Sequence, residues 1–445
     1  MDLKQANRVA FAIAEAHNIT VEEAITMMNR SSVFLIAGDS ILNSYSTQLA
    51  FITSVNIASR VFLGKVKCIL PSNTANLLKL PAESFNDLVQ FYGGTITKEE
   101  PTKEDFKILF GLPCFDNLCV EAISSGWRGG VNFYGNERIS FTDISSRVSL
   151  GAVASASLAV YQAFCKVFNV NDSEMNLNYG ISLWNLNLER DWFKDENEGP
   201  ANPNLPRNVW ALGLGHLGQA YLWTLGLMPY KNLKDTQILL QDKDIVGIEN
   251  IGSQVLCFER NVGKPKTRPC LEFLESLDFK TQIIEKPFVE GDCKQEWCES
   301  YPFIINGVDN VKTRKSIDRS CFKLFLDGAT NGKCELFDSF TMRNISLNQK
   351  EPDAIWSLKE DGEVILHKNL YEIYEKKHTC GQLTNIGIST PFVGLFSSTI
   401  LVAELVRSLN QGMSYSVVSL QMRDLSSIAA IEAGLYDRSL LRFAV

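Results

Sequence analysis

A chain of 445 residues, 45 % of them hydrophobic, is long enough for two or three domains and apolar enough to fill their cores, which excludes a disordered chain. A formal net charge of −8 argues against nucleic acid as a general partner and leaves small molecules and proteins. No early apolar run has signal-peptide features and no uninterrupted one approaches the roughly 18–20 residues of a membrane span, so a cytoplasmic chain with no membrane partner is expected.

Residues 4–16 and 21–29 predict two short helices, the second opened by Thr20 with Glu23 three residues on, a capping box. The stretch VFLIAGDSILNSYSTQLAFITSVNIAS then predicts a buried strand, a turn at Gly38 and a helix. This is a Rossmann opening with an eroded phosphate loop: only Gly38 is left of the glycine set, so a pyrophosphate cannot approach the backbone in the usual way. The next strands, KVKCILP and DFKILFGLPCF, end without acids at the positions a nucleotide needs, and an apolar helix from Gly151 to Val167 closes this half. Residues 186–208, polar, acidic and rich in Pro and Asn, predict an exposed linker between units 1–185 and 209–445.

The second unit opens on VWALGLGHLG, where Gly213, Gly215 and Gly218 follow a predicted strand and precede a helix. In that spacing the first glycine permits a tight turn, the second lets a phosphate approach the main chain, and the third lets helix and strand pack closely. Alone the pattern is weak, because glycines also serve ordinary turns. The strand DTQILLQDKDIV ends in Asp242 and Asp244, where a parallel sheet presents an acid to a ribose, as in an NAD enzyme too. The unit closes on a helix from Gly394 to Leu409 like the one that closes the first, which predicts an internal duplication; a single large α/β domain is the alternative. The second copy is longer and carries an insertion, with a cysteine-bearing loop at about 340–390. After Leu409 the chain predicts two final strands, SYSVVSL and LRFAV.

Beyond Asp244 the run ENIGSQVLCFERNVGKPKTR contains Asn250, Gln254, Gly263 and Lys266; FIINGVDNVKTRKSID contains Asp309 and Asn310 after a strand; and HTCGQLTNIGISTPFVGLFSSTILVAEL contains Cys380 before the closing helix. In this order the motifs resemble the E1/ThiF superfamily of ubiquitin-like protein activators over Val209 to Leu409, most of all the E1-like enzymes of bacterial operons that encode a compact ubiquitin-like conjugation system. The resemblance implies two Rossmann-like α/β adenylation domains forming an intramolecular pseudo-dimer, the first inactive and the second active. It implies ATP and Mg²⁺, with a ubiquitin-like protein and an E2-like conjugating protein as partners. By the same resemblance Gly213, Gly215, His216 and Gly218 lie along the nucleotide, Asp242 and Asp244 face its ribose, and Asn250 and Gln254 border it. Lys266 neutralises phosphate charge, Asp309 beside Asn310 carries Mg²⁺, and Cys380 receives the acyl group.

The chain departs from the family in two respects. Ser253 stands where the family usually has an arginine before Gln254, so a transition-state cation must come from elsewhere; Arg260 is one candidate, and Arg8, reaching in from the first half, the other. The paired C-x-x-C motifs of many relatives are absent, and eleven scattered cysteines fit reduced thiols, so no structural zinc is expected. A ThiF-type sulfur-carrier activator or dehydratase, or an ATP-binding scaffold whose catalysis has decayed, are the alternative readings.

Overall fold

Residues 5–63, 65–141, 146–171, 177–186, 191–289, 291–293, 295–347, 355, 368–375 and 387–445 are described by a computed structural model. They form two twisted α/β sheets. The first contains β1 (Val33–Ala37), β2 (Val66–Ile69), β3 (Gly94–Ile96), β4 (Lys107–Phe110), β5 (Cys119–Ser125), β6 (Arg128–Phe133) and β7 (Tyr179–Ser182), in the order 3-2-1-4-5-6-7. The second contains β8 (Asn208–Leu212), β9 (Gln237–Gln241), β10 (Lys280–Ile284), β11 (Phe303–Asn306), β12 (Leu324–Thr330), β13 (Ser339–Asn344), β14 (Met413–Gln421) and β15 (Asp424–Leu435), in the order 10-9-8-11-12-13-14-15.

Each sheet is parallel over its first five strands and antiparallel after them. Counted from its own first strand, each half therefore has the same order, and the second adds one strand. The duplication read from the sequence is thus present in the topology. In both sheets the order reverses between the first and fourth strands, where an open α/β sheet places its ligand crevice.

Before the first sheet come α1 (Ala10–His17) and α2 (Val21–Arg30). The capping box of α2 forms as predicted, with Thr20 accepting from Glu23 N and Glu23 accepting from Thr20 N. The helix expected over 4–16 begins only at Ala10, so Arg8 lies in the turn before it.

The halves meet through α3 (Tyr45–Val61), α5 (Leu150–Phe168), α6 (His216–Gly226) and the closing helix Pro391–Ser408, with α4 (Phe85–Phe91) at the rim. One hydrophobic cluster runs through both halves. The helices α5 and Pro391–Ser408 are long and apolar enough to cross a membrane, but they lie buried inside the molecule, where such composition serves a core helix equally well. Polar groups stitch the contact: Ser149 Oγ donates to Thr224 O at 2.8 Å, Trp223 Nε1 to Thr53 Oγ1 at 3.2 Å and Tyr45 OH to Leu227 O at 3.0 Å.

Two expectations need correction. The last strand is not LRFAV but Asp424–Leu435, which pairs with β14 as a hairpin, while Leu205 and Val445 exchange backbone bonds of 3.3 and 2.8 Å. The final residues thus cover the entry to β8. Nor is the described part of 186–208 a free linker: Asp191, Lys194, Asp195 and Glu196 are exposed as expected, but Asn197 is buried, Arg128 binds Glu198 at 2.7 Å and Asp195 at 3.0 Å, and Trp127 Nε1 donates to Pro200 O. Two of the acids there, Glu198 and the largely exposed Asp195, are partners for a buried arginine.

Candidate active site

At the carboxyl end of the second sheet lies a cleft of about 1690 Å³. The glycine turn between β8 and α6 forms one wall, and its three glycines have three separate reasons. Gly213 has φ +78°, and a Cβ there would stand 2.7 Å from Val308 N. A Cβ on Gly218 would stand 1.9 Å from Gly213 O, so this position keeps helix and strand in contact. Gly215 is different: nothing lies within 4 Å of where its Cβ would be, so packing does not require glycine there, and the open space faces the cleft. A phosphate against the backbone is what such a position admits.

Asp242, just past β9, accepts from Leu214 N at 2.6 Å and Asp244 N at 2.8 Å, which ties the glycine turn to the neighbouring strand. Burial nevertheless pushes its carboxyl above the ordinary range. Lys266 Nζ stands 3.2 Å from Asp244 Oδ2, and the Lys266 backbone N–H donates to Asp244 O at 2.9 Å. Asn250 turns its side chain back on Gly247 N at 2.9 Å and accepts through its carbonyl from Gln254 N at 2.8 Å, so it shapes its own loop. Gln254 Oε1 is held by Gln219 Nε2 at 2.9 Å.

On the opposite wall Asn310 caps the helix Val311–Ser316 by accepting from Thr313 N at 3.2 Å. Asp309, one residue earlier, makes no part of this cap, and its exposed carboxylate borders the cleft. Among the described residues no group of three His, Cys, Asp or Glu side chains could cage a metal. A magnesium ion at Asp309 would have to complete its shell with phosphate and water, which is its habit at nucleotide sites.

His216 heads α6 with Nε2 2.8 Å from Thr390 O, and burial draws its imidazole down to about 4, so it is neutral at pH 7. Its ring lies against Gly394, where a Cβ would meet Nε2 at 2.4 Å. Arg8 borders the cleft, and burial pulls its guanidinium below the ordinary value with the Glu249 carboxylate acting against that. Arg8, Gly213, Gly215, His216, Asp242, Asp244, Asn250, Gln254, Lys266, Asp309 and Asn310 all line this one cleft; Gly218 packs behind it.

Arg260 is a correction. It does not line the cleft; it is exposed at the outer rim, its guanidinium 4.6 Å from the Phe258 ring and 5.1 Å from that of Phe91 on α4. Flat aromatic faces hold a guanidinium there as well as an acid would elsewhere. Ser253 is buried in the cleft wall. Cys380 lies outside the described residues; before it the helix Lys368–Glu375 packs against α1, and after it Gly387–Ser389 border the cleft.

Several site residues were not anticipated. Gly307 permits the close crossing of β11's end over the glycine turn, since a Cβ there would stand 2.9 Å from Gly218 N, and the glycine in FIINGVDN was its available signal. Lys286 and Lys312 add positive charge to the cleft, and Lys312 was readable two residues after Asn310. Gln219 and, across the interface, Arg60 had no local signal.

The first half has no such cradle. A Cβ at Gly38 would meet Leu112 Cδ2 at 2.8 Å, and the space above Gly111 is taken by Ser40 Oγ. Gly38 follows β1 as Gly213 follows β8 and is crowded as Gly213 is, so Ser40 stands where the second half has Gly215, and a side chain occupies the position that Gly215 leaves open.

Residues 32–183 match the family model of the BilD N-terminal domain and residues 205–412 that of the BilD C-terminal domain. The chain belongs to the BilD family of bacterial E1-like proteins. The bacterial E1-like protein BilD of Collimonas sp. (strain OK412) is 25 % identical over 408 residues, which cover 89 % of this chain and 87 % of that one. The NEDD8-activating enzyme E1 catalytic subunit of Saccharomyces cerevisiae is 23 % identical over 135 residues, 28 % of this chain and 44 % of that subunit. Among solved structures, the E. coli tRNA N6-threonylcarbamoyladenosine dehydratase TcdA in complex with ATP aligns at 14 % identity with a TM-score of 0.32, covering 45 % of this chain and 84 % of that one.

Proposed function

We propose that the chain is an activating enzyme that uses ATP to adenylate the C-terminal carboxylate of a ubiquitin-like protein in the second-half cleft, receives the acyl group on Cys380 as a thioester, and passes it to an E2-like protein. One observation carries the reading: Gly215 leaves an open cradle at a helix N-terminus, in a cleft where Asp242, Lys266 and Asp309 converge, while the first half carries Ser40 at the matching position. The family of the chain supports the class of activity.

In this reading the carboxylate oxygen attacks the α-phosphorus of ATP, the bond to the β-phosphate breaks, and pyrophosphate leaves. The backbone N–H groups behind Gly215 bind phosphate, and Lys266 and Arg8 oppose the charge that grows on the transferred group. Asp309 would hold Mg²⁺, which supplies further neutralisation across the phosphates. His216, neutral and donating Nε2–H to Thr390 O, orients the turn and takes no part in proton transfer. The Cys380 thiolate then attacks the acyl carbon and AMP departs. With no arginine at 253, Arg8 is the cation that enters from the first half.

The test is a non-reducing gel with ATP and a ubiquitin-like partner from the same genomic neighbourhood. A thiol-sensitive adduct that is lost in Cys380→Ala, with ATP–pyrophosphate exchange retained, is expected. Exchange without any adduct in the wild type would favour the sulfur-carrier or dehydratase reading instead.

A further inference from the structure

The loop from Asn250 to Phe258 presents Ser253 and Gln254 to the cleft, yet among the described residues its only regular structure is a short turn at Ile248–Asn250. Its shape is held from two sides. On the cleft side Gln219, buried on α6, accepts from Leu256 N at 3.0 Å and donates to Gln254 Oε1 at 2.9 Å and Leu214 O at 3.0 Å, so one amide joins this loop to the glycine turn. On the far side the backbone carbonyls of Ile251, Val255 and Cys257 point into the interface between halves.

All three carbonyls are met by a single side chain of the first half. Arg60, 7 % exposed near the end of α3, donates to Ile251 O and Cys257 O through Nη1 and to Val255 O through Nη2, the last two at 2.9 and 3.0 Å. Its Nε donates to Asn56 Oδ1 at 3.1 Å, and Asn56 Nδ2 adds a second bond to Val255 O at 3.1 Å. Burial draws the guanidinium down to about 10, which leaves it charged at pH 7. No other side chain offers five donors in a rigid plane, and a lysine's three donors, all on one atom, do not reproduce that fork. Buried carbonyls without donors are costly, so the loop has one conformation in which all three are served.

A continuous hydrogen-bonded chain therefore runs from Asn56 and Arg60 through the loop to Gln254, Gln219 and Leu214. The half that lacks a phosphate cradle thus touches the cradle of the other. We propose that Arg60, supported by Asn56, is a positioning residue for nucleotide binding: it clamps from behind the loop that sets Ser253 and Gln254 against ATP. This rests on the reading of the cleft as an ATP site.

The experiment compares the full-length wild type with Arg60→Ala, Arg60→Lys and Asn56→Ala. It measures the Kd for ATP with Mg²⁺ by calorimetry, backbone hydrogen exchange at 250–258 against that of β1 and β8, and melting temperature. Arg60→Ala is expected to weaken ATP about tenfold or more and to speed exchange at 250–258 while β1 and β8 stay protected. Added guanidinium, at concentrations that leave the wild type unchanged, restores part of both. Arg60→Lys falls between, and Asn56→Ala provides a milder reading if Arg60→Ala does not fold. The proposal is overturned if folded variants bind ATP as the wild type does with unchanged exchange at 250–258. It is equally overturned if exchange rises evenly over the chain in step with melting temperature and guanidinium restores nothing. A wild type that binds no ATP sinks the proposed function, and exchange at 250–258 in the variants then decides the clamp alone.

Discussion

Glu15 Oε2 accepts the backbone N–H of Leu370 at 2.9 Å, and its Oε1 accepts that of Asn369 at the same distance. A carboxylate of the amino-terminal helix α1 thus caps the helix Lys368–Glu375, which leads toward Cys380. Two of the first-turn N–H donors of that helix meet negative charge where the helix dipole favours it. Arg8 precedes the same α1, so the segment that reaches into the cleft also anchors the base of the cysteine-bearing stretch.

Glu15→Ala should therefore cost about 1 kcal/mol, the usual value of a lost cap, with faster hydrogen exchange concentrated at 368–375. Glu15→Gln, which keeps one acceptor, should lose less. Unchanged exchange at 368–375 in Glu15→Ala would show that Leu370 packing alone holds the helix.

The glycines of the turn should separate binding from stability. Gly218→Ala forces a Cβ against Gly213 O and should destabilise by about 1–3 kcal/mol or more, as overpacking does. Gly215→Ala meets open space and should melt close to wild type, yet lose ATP affinity, because the new methyl occupies the phosphate position. Thermal melts paired with calorimetry check both; equal ATP affinity in Gly215→Ala would remove the phosphate from this turn.

Two cations should behave oppositely. Lys266→Ala, inside the cleft, is expected to reduce ATP–pyrophosphate exchange by about 10²–10³, the range seen when one charge-stabilising donor is removed. Arg260→Ala, at the rim between Phe91 and Phe258, is expected to leave exchange within twofold and cost about 0.5–1 kcal/mol of stability. Loss of exchange in Arg260→Ala would return it to the catalytic set.

His216 gives a pH dependence with a definite sign. Its folded pKa, about 4, lies below the ordinary 6.5, so the unfolded chain binds the proton more readily. The stability is present in full above about pH 6.5 and is lost as pH falls through 4, about 3 kcal/mol for this one group. Denaturant midpoints at pH 7.5, 5.5 and 4.5 should fall more steeply in the wild type than in His216→Gln. Parallel curves would mean that the ring titrates freely.

The fold was legible where local chemistry repeats. Gly38 and Gly213 each follow an apolar strand and precede a helix, and the two closing helices share composition, which is enough to read a duplication. In the cleft, acids and lysines at strand ends announced themselves because their positions relative to the glycine turn are set by a few covalent links. Arg60 could not be read this way: its partners Ile251, Val255 and Cys257 are carbonyls, which carry no residue identity, and they are remote in the chain. Arg260 misled for the converse reason, since it is close in sequence to Ser253 while the turn at Glu259–Asn261 directs it onto Phe91. The segment Asp424–Leu435 was missed as a strand because an edge strand with one solvated face needs few large apolar residues, and its Ser, Ala and Gly read as a spacer.

The most direct measurement is a calorimetric titration of the intact chain with ATP and Mg²⁺, set beside one with NAD. One ATP per chain, absent in Lys266→Ala and with no comparable affinity for NAD, is the result predicted by an open cradle at Gly215 and a side chain, Ser40, at the matching position of the first half. Two ATP per chain, or tight NAD binding with none for ATP, would contradict it.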